Sequence, residues 1–313
     1  MQVTMSCKHP IALVLLGLWC LTARAFELLP EKVGDNVWAL VGEIGGRTAE
    51  NHGLNNTLGF IVCPKGVTLI SSGATPAGAH LIEQTIAGIT SKPIRWIINI
   101  GAQDHHWLGN SYFVNKGAEI VALGRTVKAQ KQYVAEHLER LKRFVGKEAE
   151  AVRPVYASRI VDADRADLTL GSVHIELIWP GNGHFPGDAV AWLPDQRLVF
   201  TGDFVFNDRM LGVHPFSQVV EWRKAFKRIA ALEPRVLVPG HGFPGPLAKA
   251  QRDTGDYLDF LVEKVGKALD DWKDLGETTD TLGDAPQFRY LKFYDGWHRR
   301  NINRTYLQLE GAQ

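Results

Sequence analysis

The chain has 313 residues, 45% of them apolar, with 35 Lys and Arg facing 34 Asp and Glu. That is enough for a large core, and the near-neutral balance offers no basic field of the kind nucleic acid selects. Of the three cysteines, Cys7 and Cys20 fall in the first 25 residues and only Cys63 remains beyond them, so a disulfide framework is excluded.

The first element is a leader. Lys8 and His9 precede an apolar run over 11–21, and Ala23-Arg24-Ala25 has the small-x-small form of a signal peptidase site. The run is too short for a bilayer, which needs about 20 apolar residues. A cleaved signal peptide over 1–25 and a periplasmic or secreted mature chain are expected. A lipid anchor at Cys20 is the weaker alternative, because bulky Trp19 precedes it. No later stretch is apolar enough for a membrane span.

Residues 37–41, 57–62 and 67–71 are short runs of branched residues punctuated by glycine and Pro64, which predicts an antiparallel meander. Cys63 follows one such run and is expected to be a buried small hydrophobe. After Pro76, Leu81, Ile82, Ile86 and Ile89 recur at helical spacing. The apolar run 94–100 predicts a strand buried on both faces. The loop over 101–110 then hangs from a strand's carboxyl end, a common place for ligands in layered α/β proteins. A strand over 119–123 and a helix over 125–144 follow, the helix with Leu138 and Leu141 on one side and its charges solvated. Strands are expected over 173–179, 189–192, 198–201 and 236–238, and helices over 218–232 and 247–272. The aromatic and arginine-rich tail 288–310 is expected to be a packing arm or a dimer contact.

Four short segments close strands in this order: Q-D-H-H (103–106), G-N-G-H-F-P-G-D (181–188), T-G-D (201–203) and P-G-H-G (239–242). Each sets a His or Asp beside a glycine or at a strand end, where the backbone can turn sharply and present a short side chain. Together with N-N-T-L-G-F-I-V and G-V-T-L-I-S-S-G upstream, this order resembles the metallo-β-lactamase superfamily over about residues 33–245. More narrowly, Q-D-H-H-W-L-G-N with G-D-F-V-F-N-D-R-M-L-G resembles the quinoprotein relay system zinc metallohydrolases, a periplasmic subgroup related to sulfur-oxidation accessory metallohydrolases. The resemblance implies an α/β (α+β) fold, an αββα sandwich of two β-sheets between outer helices. Residues 26–245 would form the metallo-β-lactamase-like domain, with a helical segment and arm over 246–313 packed on it.

The resemblance also implies a metal site altered on one side. The superfamily's loop reads N-T-H-x-H-x-D-H-x-x-G-N, whereas this chain reads N-I-G-A-Q-D-H-H-W-L-G-N over 99–110. Gly101 and Gln103 stand where two histidines belong, His105 stands where an aspartate belongs, and His106 is kept. The first metal site retains only His184 with the shared Asp203. The second retains His106, Asp203 and His241, and His105 either completes or seals it. Since zinc normally takes at least three protein ligands, one zinc per chain is expected. Asp104 is a reserve ligand, expected to face away if the loop is extended.

The function implied is a zinc-activated water attacking an ester, thioester, lactam or similar bond of a small molecule. Asp203 would orient the water, and His184 would shuttle a proton. Gln103, His52, Asn182, His214 and Trp107 are the candidate pocket residues, each set against a plain turn, a hydrogen bond to a group behind the ligands, or a packing role. His80, His137 and His174 read as structural or solvated. The rival reading is a non-catalytic metal- or small-molecule-binding accessory of a periplasmic quinoprotein oxidation pathway, motivated by the loss of two first-site histidines and of the water-orienting aspartate. Neither reading fixes an oligomeric state.

Overall fold

The computed structural model describes residues 26–312. The expected leader lies outside the described residues. Among these residues, twelve strands form two sheets. The first runs β1 (Leu29–Gly34), β2 (Val37–Val41), β3 (Thr57–Cys63), β4 (Gly66–Ile70), β5 (Ile94–Ile98), β6 (Glu119–Leu123) and β7 (Arg159–Val161), in that spatial order. Its first four strands pair antiparallel and the rest parallel. The second sheet takes β8 (Arg165–Leu170), β9 (Val173–Ile178), β10 (Val190–Leu193), β11 (Leu198–Phe200) and β12 (Val236–Val238). It is antiparallel except for the parallel β11–β12 pair.

The period-2 alternation of side chains sorts the apolar residues into three layers. Val37, Ala39, Ile61, Ile98 and Val121 face Leu168, Ile175, Leu177, Ala191 and Phe200 across the centre. Leu40, Phe60, Leu69, Ile97 and Ile120 point outward against Ile82 and Ile86 of α1 (Pro76–Ala87). Trp192, Val199 and Leu237 point the other way, toward a layer of later helices. This is the αββα sandwich that the sequence implied.

Local chemistry explains the element ends. Helix α1 starts where Pro76 takes the first helical position and the Thr75 hydroxyl accepts from the Gly78 N–H at 2.9 Å. Strand β5 departs from expectation, since Arg95 is exposed and only its carboxyl end, Ile97 and Ile98, is buried on both faces. The loop that follows is not extended. It winds into α2 (Asp104–Trp107) and α3 (Asn110–Val114), held by the reciprocal amide pair Asn99–Asn110 and by the Trp107 indole donating to the Ala102 carbonyl at 2.9 Å.

Helix α4 (Gly124–Val145) buries Val127, Ala129, Leu141 and Val145, but its charged side is not wholly solvated, because Arg140 reaches into the site. Helix α5 (Val219–Ala230) buries Val219, Trp222, Phe226 and Ile229 at helical spacing. Beyond β12, α6 (Leu247–Ala250), α7 (Asp256–Phe260) and α8 (Gly266–Asp270) are joined through the π-helical segments Gln251–Gly255 and Leu261–Val265. Helices α9 (Leu275–Leu282) and α10 (Tyr294–Glu310) follow. Tyr257, Leu258, Phe288, Ile302 and Tyr306 of this region share the core of α5, so the C-terminal arm packs on the sandwich. No described helix is long and apolar enough to cross a membrane.

Candidate metal centre

One edge of the sandwich gathers the strand-end motifs. Helix α2 after β5 brings His105 and His106, the turn between β9 and β10 brings His184, a 3-10 turn after β11 brings Asp203, and the bend after β12 brings His241. All five are buried, between 1% and 4% exposed. Asp203 is the hub. Its Oδ2 lies 3.1 Å from His105 Nε2 and 3.6 Å from His184 Nδ1, and its Oδ1 lies 3.4 Å from both His106 Nε2 and His241 Nε2. His105, Asp203 and His241 bring ligand atoms within 4.8 Å of one another. His105 therefore faces the centre.

The donor set suits a metal cation. His106 Nε2 and Asp203 Oδ1 are buried and have no hydrogen-bond partner, a costly arrangement unless something else satisfies them. His241 donates its Nδ1–H to the Asn55 carbonyl at 2.7 Å, which leaves Nε2 as the lone-pair atom facing Asp203. His106 Nδ1 is engaged by the Ser71 hydroxyl at 2.9 Å. Ser71 holds φ of 65°, an unusual conformation for serine that aims its Oγ at this ring.

Charge follows from burial and neighbours. Burial alone would raise the Asp203 carboxyl, but His105, His241, His106 and His184 outweigh it and hold it well below the usual carboxylate range. Burial lowers His105 and His241, aided by Arg47 beside the first and Arg209 beside the second. Both imidazoles thus favour the neutral form; His241 keeps Nε2 free to ligate, whereas the Arg47 guanidinium donating to His105 Nδ1 leaves that ring's proton on Nε2, toward Asp203.

Gly101 and Gln103 also lie at this edge. Gly101 carries no ligand, and a Cβ there would stand 2.3 Å from Cδ2 of His106. Gln103 lines the cleft with its Nε2 buried and unpartnered. His184 is backed by Asp188 at 3.2 Å.

Three arginines were not legible as site residues. Arg47 donates to Asp104 Oδ1 at 2.5 Å and also contacts His105 Nδ1. Arg140 donates to the same Asp104 oxygen at 3.2 Å. Asp104 thus faces two guanidinium groups; because α2 is helical, alternation along an extended loop does not apply. Arg209 lies in the cleft 3.3 Å from His241 Nδ1, and burial pushes its guanidinium down to about 10. Arg47 sits far in sequence from the ligand motifs, and Arg209, six residues after Asp203, follows no spacing rule that marks it as a site residue.

The cleft has a volume of about 400 Å³. Of the candidate pocket residues, Gln103 and His214 line it. His52 does not; it sits in a left-handed turn with its Nδ1 2.7 Å from Glu148 Oε1. Asn182 also lies off the cleft and donates to Gln218 at 3.2 Å. Trp107 is fully buried and stacks on Tyr156 behind the loop. The C-terminal arm supplies Phe293, Trp297 and Arg300 to the cleft wall, so it does more than pack.

A four-layer sandwich with histidines and one aspartate gathered at a sheet edge defines a metallohydrolase-like class. The model of the Metallo-beta-lactamase superfamily matches residues 54–241. The chain belongs to that superfamily, which includes hydrolases and typically binds zinc. Among curated relatives it is similar to the 2,4-dinitroanisole O-demethylase subunit alpha of Nocardioides sp. (strain JS1661), 27% identical over 47% of this chain and 43% of that protein. The metallo-beta-lactamase type 2 of Bacteroides fragilis is 28% identical over 25% and 33%. The chain thus spans less than half the length of these relatives. Among solved structures, a metallo-beta-lactamase from Pontibacter korlensis superposes with a TM-score of 0.60 at 19% identity, over 74% of this chain and 99% of that one. The sec-alkylsulfatase Pisa1 from Pseudomonas sp. superposes with a TM-score of 0.72 at 16% identity, over 91% and 51%. These likenesses are of fold.

Proposed function

We propose that the chain is an exported zinc-dependent hydrolase of small molecules, carrying one zinc per chain. The observation that carries this reading is the convergence of His105, His106, His184 and His241 on Asp203 inside a cleft, with Gly101 and Gln103 removing the first site's other side chains. In this reading His105, His106, Asp203 and His241 hold the metal. When bound, zinc supplies Lewis acidity and lowers the pKa of water to about 7.

The chain's own groups do the rest. With zinc bound, Asp203 would also orient the attacking water. His184, held by Asp188, carries a proton toward the leaving group. The unpartnered Gln103 Nε2 donates to the oxygen of the bond attacked. Esters, thioesters and lactams all fit this chemistry, and the fold alone does not choose among them.

A second reading rests on the arginines. Arg47 against His105 and Arg209 beside His241 place cations next to two ligand rings, which opposes a further cation. If they prevail, the chain is a non-catalytic accessory that binds a metal or small molecule. The likeness of Q-D-H-H-W-L-G-N to the periplasmic quinoprotein-associated subgroup suits that role as well.

Elemental analysis with an ester, thioester and lactam panel tests the two. The hydrolase reading expects about one zinc per chain and turnover lost in His241→Ala and Asp203→Asn. Protein that binds no zinc, or a zinc-loaded protein inert across the panel, favours the accessory.

A further inference from the structure

The cleft at the metal centre does not end at its mouth. A second cavity of about 560 Å³ opens between α4 and α10. The two cavities share Gln103, Arg140, Phe144, His214, Trp297 and Arg300. They adjoin at these residues, with the His/Asp cluster lining the first and the α4–α10 wall lining the second.

The charge of the outer half is one-sided. Arg140, Arg143, Arg300 and Arg304 line it against a single acid, Glu136. Two of the four are already engaged. Arg140 Nη2 donates to Asp104, and Arg304 donates to the Val213 carbonyl. Arg143 and Arg300, by contrast, have no hydrogen-bond or ionic partner among the described residues, and Arg300 lies over the Trp297 ring at 5.1 Å. A buried N–H at the junction, Arg140 Nε, is also unpartnered. Buried donors without acceptors are uncommon in a finished fold. Guanidinium groups spread over aromatic faces keep their forks open to carboxylate, sulfate or phosphate oxygens.

We infer that this outer groove is an anion subsite, in which Arg143 and Arg300 hold an acid group that the substrate carries at the end remote from the bond attacked. The apolar middle of the substrate lies over Phe144 and Trp297, and its reacting end meets the His/Asp cluster. This deepens the hydrolase reading and rests on it for the word substrate, but the binding itself does not need catalysis. The class selected is an elongated molecule with an acid at one end, as in a half-ester of a dicarboxylic acid.

The test separates the two claims. Titration calorimetry on the full mature chain compares 4-phenylbutyrate with its neutral counterpart 4-phenylbutanamide, with zinc and after chelation. The acid is expected to bind at least tenfold tighter in both states, with the preference shrinking in 0.5 M salt as surface charge is screened. The Arg143→Gln/Arg300→Gln double variant is expected to lose that tenfold preference while keeping its zinc content and melting temperature. Equal binding of the two probes overturns the inference. So does a preference that vanishes on chelation or survives in the double variant, since the acid then sits at the metal centre. In the zinc-loaded wild type, mono-p-nitrophenyl adipate is further expected to exceed p-nitrophenyl hexanoate in kcat/KM. Turnover of neither ester with the binding preference intact removes the hydrolase reading and leaves the anion subsite standing.

Discussion

Gly101 and His106 claim the same space: a Cβ on residue 101 would stand 2.3 Å from Cδ2 and 2.7 Å from Cγ of the His106 ring. The ring cannot easily move aside, because Ser71 holds its Nδ1 and its Nε2 faces Asp203. Gly101→Ala is therefore expected to destabilise the fold by about 1–3 kcal/mol through overpacking and to weaken zinc binding, read by competition with a chromophoric chelator. Gly101→His is expected to leave the stoichiometry at one metal or fewer. A variant that gains a second tightly held zinc would show that the ring yields.

Arg47 and Asp104 form a buried pair, 9% and 0% exposed at the side chain, with Arg140 as a third member. Burial alone would raise the Asp104 carboxyl, and the two guanidinium groups reverse that and hold it well below the usual range. Removing one partner strands a charge. Arg47→Met is expected to cost about 3–5 kcal/mol in chemical denaturation. Arg47→Met/Asp104→Asn is expected to cost less than the sum of the single changes, giving a coupling energy of at least about 1 kcal/mol in the cycle. Additive losses would mean the pair is not coupled in solution.

Much of this centre was legible because its ligands sit in short motifs at strand ends. His105, His106, His184, Asp203 and His241 come from four separated segments, yet the glycine-flanked wording brings them to one edge. The arginines were not legible for the opposite reason. Arg47 lies in a glycine-rich turn and Arg140 in a charged helix, where a solvated face is the ordinary reading; only the packing of α4 against α2 turns Arg140 inward. The tail shows the same limit. Its aromatic residues announced packing, but that Trp297 and Arg300 wall the cleft depends on how α10 docks. His52 erred the other way, since a histidine beside glycine looks like a loop over substrate and is instead paired with Glu148. Strand β8 also escaped, its Arg165-Ala-Asp-Leu-Thr-Leu sequence being half-exposed and only weakly apolar.

Gly59 on β3 and Phe200 on β11 mark where the two sheets press together. A Cβ on residue 59 would lie 2.0 Å from Phe200 Cε1, so the ring occupies the room the glycine leaves. Gly59→Ala is expected to lower stability by about 1–3 kcal/mol. Phe200→Leu introduced beside it should recover part of that loss, because the smaller side chain frees the same volume. Thermal melts of the single and double variants check this. A double variant worse than either single would place the strain elsewhere.

His137 adds a pH dependence to the fold from outside the ligand cluster. It is 2% exposed, its Nδ1 has no hydrogen-bond partner, and its ring packs near Phe185 with centroids 5.3 Å apart. Burial lowers it to about 4, only partly offset by Asp104, while Arg140, Arg47 and His105 add to the lowering. The unfolded chain has an ordinary histidine near 6.5 and so binds more protons than the native state between the two values. Stability is therefore full above about pH 6.5 and is lost as pH falls toward about 4, by on the order of 2–3 kcal/mol from this residue. His137→Phe keeps the ring and removes the titration. In chelated protein, the stability difference between His137→Phe and wild type is expected to grow in favour of the variant from pH 7 to pH 4.5. Urea titrations at several pH values measure it, and parallel curves for the two proteins would show that His137 ionises in the folded state as readily as in the unfolded one.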